Sequence, residues 1–181
     1  PYCRKRYGID GLMSFFHYEG IVKEAIKRIK YHFTSDIIFE LINQIPEKNF
    51  YIFETILKSL VINHKSMMIP IPLHWSRQNF RGFNQAELIA KALGKKWNIP
   101  VCLNVLQRTR HTTPQVETKN RDERLKNMEN VFIISNSSLV ISNCCYILID
   151  DVFTTGATLR SAAEVLKRAG VKYVWGITIA Q

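Results

Sequence analysis

Long apolar runs are missing from this sequence: no stretch approaches the roughly 18 residues that a membrane-spanning helix needs. A secretory leader is also missing, because Arg4-Lys5-Arg6 gives way to mixed, charged sequence rather than an apolar core. Cysteine is scarce, at 4 residues, and two of these, Cys144 and Cys145, are adjacent. That pattern suggests buried thiols rather than a disulfide framework, since both lead into an apolar run, and Cys102 between Val101 and Leu103 reads the same way. There is no internal repeat and no low-complexity segment. The reading is a cytoplasmic chain of 181 residues, one domain with a small appendage, long enough to bury a real core. Since it starts at Pro1 rather than Met, a segment upstream is expected.

Acid is in short supply too, and the shortage is local. The formal net charge is +10, and residues 65–128 carry twelve Lys/Arg against four Asp/Glu, while the flanking segments are nearly balanced. Solvated helix faces account for part of this. Several of the cations fall between helical stretches, however, so an anionic partner is expected for the middle of the chain: polyphosphate, nucleic acid or both.

The periodicity of the first 64 residues is helical. Val22, Ala25, Ile26, Ile29 and Phe33 share one face, opposite Lys23, Glu24, Lys27 and Arg28. A second helix is expected from Ser35 as N-cap through Ile45, stopped by Pro46, and a third over 50–62. Residues 1–64 therefore read as a helical cap, and 65–181 as a core. In the core, strands are expected at Met67–Ile69, Val101–Leu103, Val131–Ile134, Tyr146–Ile149 and Val171–Ile179, and helices over 84–97 and 157–169, with Gly170 as the last helix stop. Residues 107–127 read as a long mobile loop entering a short helix. Alternating strands and helices imply an α/β fold, a mostly parallel sheet flanked by helices.

One stretch carries chemistry. A buried apolar run ends in Asp150-Asp151, turns through Thr154-Thr155-Gly156 and opens a helix. In open α/β sheets ligands bind beyond the carboxyl ends of the strands, where such a loop lies. A helix N-terminus offers unpaired N–H groups to a phosphate, a glycine lets the backbone come close, and Thr154, Thr155 and Thr158 add hydroxyls. The two acids repel phosphate and suit ribose hydroxyls or a magnesium ion instead. An ordinary capped turn accounts for one Asp and one Thr, not for two acids, three threonines and a glycine in nine residues.

Ile149–Thr158 resembles the phosphoribosyl pyrophosphate signature of type I phosphoribosyltransferases. With Ile69-Pro-Ile-Pro-Leu-His74, Arg77 and Arg81-Gly-Phe-Asn-Gln85, the chain resembles the ComF family, phosphoribosyltransferase-like proteins associated with DNA uptake in competent bacteria. Arg108, Thr113-Pro-Gln115, Arg121, Arg124, Asn127 and an early Tyr18-Glu-Gly20 extend the match across most of residues 15–181. The resemblance implies a type I phosphoribosyltransferase fold. It implies a phosphoribose site of Asp150, Asp151, Phe153, Thr154, Thr155, Gly156, Ala157 and Thr158, with magnesium on Asp150 and Asp151, directly or through water. It implies a pyrophosphate site of Ile71, Pro72, Leu73, Arg77, Arg81 and Arg108, in a turn able to hold a cis peptide. Asp150, Asp151 and Arg81 are the expected catalytic residues. His74 reads as structural; Arg108, Arg110 and Arg121 sit on the presumed loop, free to close over the site. Cys3 would be the remnant of an N-terminal zinc module whose other ligands lie outside this chain.

Two functions stay open on the sequence. One is a magnesium-dependent enzyme transferring phosphoribose to an acceptor for which residues 1–64 display no recognisable pocket. With no leading Cys, an N-terminal glutaminase partner reaction is not supported. The other is a non-catalytic protein handling single-stranded DNA, with uptake proteins as partners. Trp75, Phe80 and Phe83 are stacking candidates there, although their apolar surroundings favour core packing.

Overall fold

The computed structural model describes residues 8–31, 34–61, 65–110, 131–140 and 143–181, without the side chains of 57–61. Its centre is a four-stranded sheet of Gly11–Phe16 (β1), Lys65–Pro70 (β2), Cys144–Val152 (β5) and Tyr173–Ala180 (β6), in the order β1-β6-β5-β2. Every pairing in it is parallel. Leu106–Arg108 (β3) and Phe132–Ile134 (β4) form a separate antiparallel pair. The described α-helices are Gly20–Tyr31 (α1), Asp36–Asn43 (α2), Glu47–Val61 (α3), Trp75–Arg81 (α4), Gln85–Trp97 (α5) and Ala157–Arg168 (α6). This is the α/β architecture expected for a type I phosphoribosyltransferase fold.

The central strand explains the layering. Along β5, Cys144, Tyr146 and Leu148 enter one apolar cluster while Cys145, Ile147 and Ile149 enter the other, the period-two alternation of a strand buried on both faces. The first cluster takes Leu159, Ala162, Ala163 and Leu166 of α6, together with Leu106 and Phe132 of the β3–β4 pair. The second takes Ile26 and Ile29 of α1, Ile38 and Ile42 of α2, Phe50 and Phe53 of α3, and Ile89, Ala90 and Leu93 of α5. Phe53 and Trp97 anchor it, with ring centroids 4.4 Å apart. All three described cysteines are free thiols, and burial pushes Cys145 up to about 12.

The helix ends follow local chemistry. Asn84 caps α5, its Oδ1 accepting from Ala86 N at 3.1 Å. His74 caps α4, its ring facing Ser76 N and Ser76 Oγ. Gly170, at φ 96°, follows the end of α6. Ser35 stands at the N-cap position of α2 without making a side-chain cap bond.

Four expectations need correction. Residues 1–64 are not a purely helical cap, since β1 is an edge strand of the main sheet. Gly11 has no Cβ to collide with the Trp175 ring beside it, and Ser14 Oγ meets Thr178 Oγ1 at 2.6 Å across the pair. Val101–Leu103 is not a strand; only Val101 bridges to Met68. Gln107 and Arg108 belong to β3 rather than to a loop, because Val105 and Leu106 bury their side chains and pin the segment against β4. Trp75 and Phe80 are not core residues: they are 68% and 69% exposed on short α4, which buries none of its residues. Phe83 does pack against the second cluster. Phe33, Cys3 and residues 111–130 lie outside the described residues, so the readings of Arg121, Arg124, Asn127 and Thr113–Gln115 do too. Among the described residues no helix is long and apolar enough to cross a membrane, and no peptide bond is cis.

Candidate functional site

Because all four strands run the same way, their carboxyl ends share one edge, and a cleft of about 580 Å³ opens there. The β5–α6 connection forms one bank. β5 carries Asp150 and Asp151 as its last polar positions, and both line the cleft with Thr154 and Thr158. Gly156 starts α6 at φ 70°, and any side chain there would run into the Phe153 ring. Thr155 holds the turn from both sides: its Oγ1 accepts from Ala157 N at 3.4 Å, and its carbonyl accepts from the Arg160 guanidinium. Phe153, Gly156 and Ala157 therefore shape the loop from behind, while the acids and two threonines face the cleft.

The opposite bank is assembled from distant segments. Ile71 and Leu73 follow β2, Arg77, Phe80 and Arg81 come from α4, Gln85 from α5 and Arg108 from β3. Asn84 fastens two of these parts together, its Nδ2 donating to the Ile71 carbonyl at 3.0 Å. Arg81 Nη1 donates to Gln85 Oε1 at 3.1 Å. Arg108 Nε reaches the Arg110 carbonyl at 3.4 Å; Pro72 and Arg110 are not among the cleft-lining residues. Helix α1 supplies Lys23, Lys27 and Lys30, with Tyr18 and Tyr31 near its two ends.

Lys30 joins the banks. Its Nζ lies 3.0 Å from Asp151 Oδ1 and 2.9 Å from Oδ2, and both side chains are largely buried. Burial alone would pull the ammonium down, but Asp151, aided by Asp150, outweighs it and holds the group above its ordinary value, so it stays charged. Asp150 is pushed up to about 7, first by burial and then by the charge of Asp151; Lys30, the Asp151 N–H and Arg108 oppose the rise. Asp150 Oδ1 accepts that N–H at 2.9 Å. Burial, then the neighbouring charge of Arg77, lowers Arg108 to about 10, against the pull of Asp150.

Most residues named from sequence thus meet in one cleft. Lys30 was not named, although its neighbours were. Sequence periodicity placed Lys23 and Lys27 on the polar face of this helix without saying what that face meets; the packing of α1 on the sheet brings Lys23, Lys27 and Lys30 to the cleft with the acids.

No family model matches the chain. Residues of this chain are 36% identical over 115 positions to Competence protein F of Haemophilus influenzae, covering 62% of this chain and 50% of that protein. They are 31% identical over 157 positions to Competence protein ComFC of Bacillus subtilis, covering 87% and 58%. The chain belongs to the ComF family. It spans between half and three fifths of the length of these two family members. A further relative, at 32% identity over 108 positions, is the DNA utilization protein YhgH of Escherichia coli O157:H7, with 59% of this chain and 45% of that protein covered.

Proposed function

We propose that this chain binds phosphoribosyl pyrophosphate with magnesium, transfers its phosphoribosyl group, and acts in DNA uptake. One observation carries the reading: a diacid, two threonines and a helix start face a bank of arginines and lysines across a single cleft at the carboxyl edge of a parallel sheet. That is the complement of a ligand with hydroxyls at its centre and phosphates at its ends. The names of the relatives, competence protein and DNA utilization protein, support the cellular role.

In this reading the Phe153–Thr158 backbone cradles the 5-phosphate at the start of α6. Asp150 and Asp151 take the ribose hydroxyls, and Lys30 keeps their combined charge tolerable in a half-buried place. The Ile71–Leu73 turn, Arg77, Arg81 and Arg108 surround the pyrophosphate. Transfer breaks the bond from ribose C1 to pyrophosphate, whose oxygen keeps the electron pair, and forms a bond from C1 to the acceptor. The arginines stabilise the charge that develops on the leaving group. Two adjacent carboxylates, with no group of three ligating His, Cys, Asp or Glu among the described residues, fit a cation that brings its own waters and substrate oxygens. Magnesium held by Asp150 and Asp151 would supply Lewis-acid polarisation of the leaving group.

The test is pyrophosphate release from phosphoribosyl pyrophosphate with a panel of nucleobases and amines. Release is expected with the parent chain and is expected to vanish in Asp150→Asn/Asp151→Asn; release that survives the double change overturns the mechanism. A second reading, contact with single-stranded DNA, is favoured by exposed Trp75 and Phe80 on the helix that carries Arg77 and Arg81. It requires an affinity for single strands that drops steeply with salt, and a Trp75→Ala/Phe80→Ala chain that binds them less well.

A further inference from the structure

Gln85 occupies the first position of α5, directly after the capping Asn84, and is 2% exposed. Its Oε1 accepts from Arg81. A guanidinium has only donors, so this contact fixes which arm of the amide is the oxygen and leaves Nε2 as the other arm. Nε2 finds no hydrogen-bond partner among the described residues. Two other buried side-chain atoms share that condition, Ser66 Oγ and Trp175 Nε1, but of the three residues Gln85 alone lines the cleft.

A buried amide N–H2 without an acceptor weakens the fold, and a partner brought by a ligand relieves that penalty only when the ligand is bound. The surroundings define the partner. Arg77, Arg81 and Arg108 line the same cleft, so the incoming acceptor is a negatively charged oxygen. The other arm of the amide and the start of its helix are held in place. Asn84 ties the start of α5 to the Ile71 carbonyl, and Arg81 holds the far oxygen of the amide.

We propose that Gln85 Nε2 is a ligand-binding donor to a phosphoryl oxygen of the diphosphate group. This rests on the phosphoribosyl pyrophosphate reading above and deepens it, because it assigns a residue that separates a diphosphate ligand from a ribose monophosphate. Arg81 gains a second role as the positioning partner of the amide.

The experiment titrates the full chain with inorganic pyrophosphate plus magnesium, and separately with ribose 5-phosphate, by calorimetry. Gln85→Met removes the donor at nearly constant volume. It is expected to weaken pyrophosphate binding about tenfold, the worth of a hydrogen bond to a charged group. Ribose 5-phosphate binding should stay as in the parent, and the ligand-free melting temperature should hold or rise. Unchanged pyrophosphate affinity in Gln85→Met overturns the proposal. So does equal loss of both ligands, or a parent chain that binds no pyrophosphate. Should Gln85→Met fail to fold, the parent chain still decides by NMR. The Gln85 side-chain amide proton pair must shift on adding pyrophosphate and stay put with ribose 5-phosphate; a pair unmoved by pyrophosphate overturns the assignment. Gln85-dependent pyrophosphate binding without phosphoribosyl pyrophosphate binding would uphold this inference and remove the proposed function.

Discussion

The two banks of the cleft are built in opposite ways. One is a single continuous stretch, Asp150 to Thr158, whose geometry follows from a strand ending, a glycine with positive φ and a helix starting. The other gathers Lys30, Arg77, Arg81, Gln85 and Arg108 from four elements that only the sheet brings together. A contiguous bank is set by local chemistry and fails through local strain. An assembled bank depends on helix packing and on a few polar ties across long chain separations, such as Lys30 to Asp151 and Asn84 to Ile71.

The largest expected effect breaks the contiguous bank. Gly156→Val forces a β-branched residue into φ 70° and against the Phe153 ring. The cost should be about 2–4 kcal/mol of stability, read as a lower denaturation midpoint. It should also displace the start of α6 and weaken ribose 5-phosphate binding.

Next is the tie between the banks. Lys30→Met leaves the Asp151 carboxylate without its cation. The expected loss is about 1–3 kcal/mol, between the values for exposed and buried pairs, since both partners keep some exposure. A pH dependence accompanies it. Asp150 is raised to about 7 in the folded chain, so the folded state holds a proton that the unfolded state releases near its ordinary, lower value. The contribution of Asp150 to ligand-free stability therefore falls as pH rises from about 4 to about 7. Asp150→Asn should flatten that part of the profile. Lys30→Met should carry the fall to higher pH, because Lys30 restrains the rise. A parent profile that climbs over this interval by as much as that of Asp150→Asn would contradict the assignment.

The smallest expected effect sharpens the comparison within the assembled bank. Asn84→Ala removes the α5 cap and the bond to the Ile71 carbonyl together. About 1–2 kcal/mol should be lost. Pyrophosphate binding should weaken while ribose 5-phosphate binding does not; equal weakening of both would mean that the two banks are not independent.

The same division governs what the sequence revealed. The β5–α6 loop was legible because its strand, acids, threonines and glycine are neighbours in the chain. Helix α5 was legible from its helical period. β1 was not: it is short, begins with glycine and stands among helical segments, and its strand character comes from pairing with β6 at the far end of the chain. Lys30 was hidden for a similar reason. Helical period separates polar from apolar faces, but it cannot say which polar residues look into a cleft. Trp75 and Phe80 misled in the other direction, since aromatic character reads as core and α4 is too short to bury what it carries. Gln85 sat within a recognised motif, yet its unsatisfied amide is a property of burial alone.

The central claim is that the two banks together bind phosphoribosyl pyrophosphate. Its most direct test is a calorimetric titration of that compound with magnesium into the parent chain and into Asp150→Asn/Asp151→Asn. The account predicts saturable binding by the parent and at least about 100-fold weaker binding by the double variant, from the loss of both the hydroxyl contacts and the magnesium ligands. No binding by the parent, or equal affinity in the two chains, would contradict it.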